Sequence, residues 1–115
     1  MTEPLTPLTM ALLLALVRED QHGYALMAEV AQQTGKRPGT GSLYAALERL
    51  VEEGLITAVA EGPGPREDQR RRLFRITRTG REQARAEAAR MLHVLDLARE
   101  KSLIGNLSDL RDVAP

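Results

Sequence analysis

Nine of the ten residues from Leu8 to Val17 are apolar, with Thr9 the single interruption. Thr6 and Pro7 precede the run as an N-cap and a proline suited to the first helical position. The stretch reads as a helix over about 7–18 that is apolar nearly all round, so it must be covered on several sides. It is about half the length a bilayer span needs, and it lacks the basic start and cleavage site of a secretory signal. The expectation is a cytoplasmic chain with no membrane partner. With 115 residues in total, a second copy is expected to provide part of the cover.

Composition points the same way. Leu occurs 18 times and Ala 15, whereas Tyr24, Tyr44 and Phe74 are the only aromatics. A Leu/Ala core implies packed helices in one domain plus an extension. No Cys is present, which excludes disulfides, thiol chemistry and Cys-ligated zinc. The two histidines, His22 and His93, stand far apart with no Cys company, so no metal site and no cofactor are expected. No Ser-His-Asp set and no Gly-rich phosphate loop after a strand suggests an enzyme.

After the first helix, Gly23 opens a second segment that Gly35 closes as a C-cap. It carries Leu26 and Val30 one turn apart, with Tyr24 and Met27 beside them. A third helix is predicted from near Thr40 to before Gly54, with Leu43, Leu47, Leu50 and Val51 as its buried stripe. Ser42, Tyr44, Ala45, Glu48 and Arg49 lie off that stripe. Leu55–Ala60 and Arg71–Thr77 read as two strands of a hairpin, with Phe74 and Ile76 on one face. The tip holds Gly62-Pro63-Gly64-Pro65. A long helix follows, capped by Thr79 in a capping box or alternatively by Thr77, and running to about Leu103 with Gly105 as C-cap. Residues 106–115 read as a fraying tail.

Sixteen basic and sixteen acidic residues give a net charge of zero, but the charge is unevenly spread. Residues 1–61 carry −4. Residues 62–85 hold eight Arg against Glu67, Asp68 and Glu82, a local +5. Partners respond to the local field rather than to the average. Arg suits planar contact with phosphate and base edges.

Three helices, a two-stranded hairpin and a long helix make a mainly α fold with a small β-hairpin. This is the order of a winged helix-turn-helix, whose third helix enters a major groove while its wing reaches phosphates. Four blocks strengthen the reading: His22-Gly23-Tyr24-Ala25-Leu26, Gly41-Ser42-Leu43-Tyr44-Ala45-Ala46-Leu47-Glu48-Arg49-Leu50, Glu53-Gly54-Leu55-Ile56, and Arg71 through Arg81. In this order and spacing the chain resembles the PadR-like transcriptional regulators, in the shorter subgroup with a single C-terminal helix. The resemblance covers about residues 5–85. It implies a homodimeric DNA-binding repressor, with the first and last helices making the dimer and a small-molecule effector near the interface. Ala45 stands where the family often has Pro, and there is no Trp on which a flat ligand would stack.

The domain reading is then 1–78 for DNA binding, 79–105 for dimerisation and 106–115 as tail. The partners expected are double-stranded DNA with a pseudo-palindromic operator, a second copy of the chain, and an effector. Candidate DNA-binding residues are Ser42, Tyr44, Ala45 and Arg49 on the third helix, Lys36 and Arg37 before it, and Arg66, Arg70, Arg71 and Arg72 on the wing. For Tyr44 a half-buried packing role competes, and for Arg49 an ion pair with Glu52 or Glu53. Arg75 and Arg78 are alternatively strand and helix-entry residues. Leu8, Leu12, Ala84, Ala88, Met91, Leu92, Leu95 and Ala98 are the candidate dimer seam. Met10, Leu14, Met91 and Leu95 are the candidate effector lining. The competing reading is a winged-helix module that binds protein without DNA, favoured by the acidic first segment.

Overall fold

The computed structural model describes residues 3–59 and 72–113. Its elements are α1 (Pro7–Leu16), β1 (Gln21–His22), α2 (Gly23–Thr34), α3 (Thr40–Glu52), β2 (Ile56–Val59), β3 (Leu73–Ile76) and α4 (Arg78–Glu100). The sheet order is β1-β3-β2, all antiparallel.

Helix α1 is the hub, packed against α2, α3, α4 and β3. The Thr6 side chain accepts from the Thr9 N–H at its start. Thr9, Met10, Ala11, Leu12, Leu13, Ala15 and Leu16 are all buried, and Leu14 alone is exposed within the helix's apolar run. The expected second copy is therefore not needed to cover α1: three helices and a strand of the same chain do so. The last carbonyls of α1 also find distant donors. Gln21 Nε2 donates to Ala15 O at 2.6 Å and Arg81 to Val17 O at 2.7 Å, which satisfies two of the acceptors at that helix end.

Helix α3 buries Leu43, Ala46, Leu47 and Leu50; of the predicted stripe, Val51 is only half-buried at the edge of the core. Helix α2 ends as predicted, with Gly35 in the left-handed region at φ 74°. Tyr24 does not join Leu26 and Val30 in the core: it is 68% exposed, because Leu26, Met27 and Val30 already fill the inward face of α2.

The hairpin pairs Ile56 with Ile76 and Val59 with Leu73, which turns Phe74 and Ile76 into the core and Arg75 outward. The third strand was not predicted. Gln21 and His22 pair with Phe74 and Leu73, and two polar residues carry no period that would announce a strand. Asp20, just before it, takes the Arg75 guanidinium bidentately, with Arg75 Nη2 at 2.8 Å.

Thr77, not Thr79, caps α4, accepting from the Gly80 N–H at 3.0 Å. The Thr77 hydroxyl donates to Gly54 O at 2.6 Å and its N–H to Leu55 O at 3.0 Å. These bonds join the start of α4 to the exit of α3. The helix ends at Glu100, short of Leu103, because Ser102 turns left-handed at φ 62° and Leu103 N bonds back to Ala98 O. Leu107–Leu110 then form a single 3₁₀ turn capped by Asn106, with no buried residue.

Among the described residues Glu87 is the buried acid, at 5% exposure. It pairs with Arg90 one turn on and accepts from the Leu5 N–H at 3.1 Å, tying the N-terminal segment to α4. Arg90, and then the Leu5 N–H, hold its carboxyl below the ordinary 4.5. Between the lowered value and 4.5, the unfolded chain binds a proton that the folded chain refuses, so stability falls as pH falls. Glu87→Gln is expected to be less stable at neutral pH and to lose less on acidification. Thermal unfolding of both chains from about pH 7 to pH 3 checks this, and parallel pH curves would refute it.

Candidate nucleic-acid interface

The site is built on α3. Its buried stripe fixes which side faces out. The side opposite Leu43, Leu47 and Leu50 presents Gly41, Ser42 and Ala45 in the first turns, all exposed, then Glu48 and Glu52 further along. The first turns are thus small and uncharged, and the later ones acidic. The N-cap is Gly39, which provides no side-chain bond to the first N–H groups, and no acid sits in the first turn. Those N–H groups, at the positive end of the helix dipole, suit a phosphate. Lys36 and Arg37 are exposed in the turn just before.

Tyr44 is half-buried and packs against the core cluster, on the flank of the outward face. Arg49 is drawn sideways: Nε lies 3.8 Å from Glu53 and Nη2 3.5 Å from the Thr9 hydroxyl on α1. Its predicted ion-pairing alternative is the one the geometry displays.

The Arg-rich segment divides at the wing. Arg66, Arg70 and Arg71 lie outside the described residues. Arg72 bonds Glu48 of α3 at 2.6 Å and stands over the Phe74 ring, 5.1 Å from its centroid. Arg75 holds Asp20, Arg78 pairs with Glu82 at 3.2 Å, and Arg81 caps α1. These four cations are spent on the fold's own acceptors. The sequence clustered them, but only Arg78 finds its partner one turn away; those of Arg72, Arg75 and Arg81 lie 24, 55 and 64 positions away, and no local pattern reveals these.

The candidate dimer seam also divides. Leu12 is fully buried and Ala84 is 6% exposed. Both are consumed by the subunit's own core, because α1 and α4 pack on one another, and they offer no surface to a partner. Leu8 is half-buried against that core. The inward stripe of α4, Gly80, Ala84 and Glu87, continues along the same face as Met91, Leu95 and Ala98. There nothing among the described residues covers it fully: Met91 is 42% exposed, and Leu92, Val94 and Leu97 beside it are open too. Ala88 is likewise exposed. Among the described residues of one chain, the candidate effector lining does not come together. Met10 is buried in the core, and the shallow depression beside Leu14 is bordered by Val17, Arg18, Gln21 and Glu29, not by Met91 or Leu95.

Among the described residues no group of three or more His, Cys, Asp or Glu is placed to hold a metal ion, and no helix is long and apolar enough to cross a membrane.

The model of the transcriptional regulator PadR-like family matches residues 12–86. A PadR family transcriptional regulator from Eggerthella lenta is 31% identical, with a TM-score of 0.63 over 86% of this chain and 83% of that one. A PadR-like regulator from Bacillus cereus is 25% identical, with a TM-score of 0.64 over 86% and 93%. Bacillus subtilis PadR, solved in complex with operator DNA, shares the fold at 21% identity and a TM-score of 0.60, over 74% of this chain and 48% of that one. An uncharacterized 37.1 kDa protein in a transposon of Streptomyces fradiae is 35% identical over 105 residues, 91% of this chain. The chain spans 29% of the length of that curated relative.

Proposed function

The chain belongs to the transcriptional regulator PadR-like family, and on that premise we propose that it is a homodimeric, sequence-specific DNA-binding repressor. The observation that carries the reading is the outward face of α3. Its first two turns present only Gly41, Ser42 and Ala45, so backbone and small side chains approach base edges and phosphates closely. The uncapped N-terminus and the adjoining Lys36 and Arg37 favour a phosphate there. Arg66, Arg70 and Arg71 belong to the wing in this reading and add phosphate contacts. In this reading residues 1–78 are the DNA-binding domain and 79–105 the dimerisation helix.

The uncovered stripe of α4 from Met91 to Ala98 is the surface proposed for the second copy, with Leu92 and Ala88 at its margin. It continues a face that the subunit already buries, so a partner helix extends the same packing. An effector that prefers a dimer with a different separation of the two α3 helices would release DNA by population shift.

Selection from a randomised duplex pool tests the proposal, followed by anisotropy titration against salt. Two-fold symmetry predicts enrichment of a pseudo-palindrome with half-sites about 34 Å apart, bound with an affinity that falls steeply as salt rises. A pool that yields no enriched site, with no duplex bound at low salt, would overturn it in favour of a protein-binding winged-helix module.

A further inference from the structure

Arg72 is the first described residue after residues 60–71, and it follows Arg70 and Arg71 directly in sequence. A phosphate-reaching wing would gain from having it free. Instead its Nη1 lies 2.6 Å from Glu48 Oε1, and its guanidinium stacks at 5.1 Å over Phe74. Phe74 is itself 1% exposed, so the platform under the guanidinium is rigid. The Arg72 side chain is 25% exposed and that of Glu48 is 46%. Both ends of the pair therefore border solvent at the junction of the wing and α3.

Glu48 is also out of keeping with its position. It lies three residues beyond Ala45, on the face proposed to enter the groove, where a carboxylate repels phosphate. Removing that charge would raise affinity for any duplex, and the fold already fills its core without it, since Leu43, Ala46, Leu47 and Leu50 do the packing. Beyond its ion pair with Arg72, a carboxylate at this place holds down affinity for arbitrary DNA.

We infer that Glu48 is a specificity-determining residue: as the internal counter-charge of Arg72, it withholds this cation from the phosphate backbone and so suppresses binding to non-operator DNA. The inference rests on the DNA-binding reading above. A charge matched within the protein releases no counterion on binding, so Arg72 adds nothing to the salt-dependent term that dominates non-specific affinity. At a correct site, the contacts of α3 fix the protein on the duplex without needing Arg72. At an incorrect site, little remains beyond the other basic groups. The acidic −4 of residues 1–61 acts in the same direction, and Glu48, like Glu52, belongs to the part of it on the outward face of α3.

A double-mutant cycle on random-sequence duplex tests this, with affinity measured by anisotropy at several salt concentrations. Glu48→Gln is expected to bind random duplex roughly three- to fivefold more tightly near 50 mM salt, with the slope of log K against log salt steeper by about one. In the Glu48→Gln background, Arg72→Met should remove both gains. In the wild-type background, Arg72→Met should change the slope little. A Glu48→Gln gain that survives Arg72→Met would overturn the inference, since it would then be simple loss of a negative charge. An unchanged slope in Glu48→Gln would overturn it as well. Thermal unfolding of each variant, expected within a few degrees of wild type, confirms that folded chains are compared. Wild-type chain that binds no duplex at low salt defeats the DNA-binding reading itself. Wild-type binding with a strictly additive cycle defeats only the role given to Glu48.

Discussion

Gly80→Ala is expected to cost about 3 kcal/mol of stability, the upper end for overpacking, and to lower the melting temperature by about 10 °C or more. A Cβ on Gly80 would stand 2.0 Å from Leu55 O, 3.0 Å from Leu55 C and 2.9 Å from Ile76 Cγ1. The first contact is with backbone, and that carbonyl is held by the Thr77 N–H at 3.0 Å. Gly54 O is held in turn by the Thr77 hydroxyl. Relief of the clash requires lifting the first turn of α4 off Leu55, just before β2, which breaks this set of bonds. The opposing effect is helix propensity, in which Ala gains up to about 1 kcal/mol over Gly. Overpacking wins because the obstacle is a fixed carbonyl and not the end of a flexible side chain. Gly41→Ala is the control: its Cβ meets nothing within 4 Å, and its stability should equal or exceed that of wild type. Urea unfolding of the three chains checks the prediction. A Gly80→Ala chain as stable as wild type would show that α4 can shift freely on the sheet.

Ala45→Glu is expected to lower affinity for the selected operator by about a hundredfold or more while leaving the unfolding midpoint unchanged. Ala45 is exposed, so the substitution creates no buried charge and removes no packing. Its effect would come from setting a carboxylate in the middle of the small face of α3. Like charges juxtaposed across an interface cost several kcal/mol, and the new group would lie beside Glu48 and Glu52. Anisotropy at low salt, paired with circular dichroism, separates lost binding from lost fold. Retained affinity in a folded Ala45→Glu chain would take the first turns of α3 out of the interface and leave the wing to carry binding alone.

The parts of this molecule legible before folding are those set by short-range pattern. Leu43, Leu47 and Leu50 recur at the spacing of a helix face, and all three are fully or almost fully buried. Gly35 stops α2 because only a residue without a side chain takes φ 74° at low cost. The small outward face of α3 follows from the same stripe, so Ser42 and Ala45 stand where the spacing puts them. Thr77 was legible only as one of two caps. The choice between it and Thr79 turned on the Thr77 bonds to Gly54 and Leu55, contacts more than twenty positions away.

The charges behaved differently. A concentration of arginine from residue 66 to residue 85 is a property of the sequence, and it raised the nucleic-acid reading. Which arginines remain available is a property of the fold. Asp20 reaches Arg75, Glu48 reaches Arg72 and the Val17 carbonyl reaches Arg81 only because the fold brings β3 and the start of α4 against α3, the end of α1 and the residues before β1. Leu12 and Ala84 illustrate the same limit for apolar groups. The sequence by itself determined that these residues had to be covered, since hydrophobic burial depends on side-chain chemistry and period. Whether the cover is the chain itself or a second copy was decided by the tertiary structure, because burial is a relation between elements distant in sequence. The same holds for each ion pair across the wing.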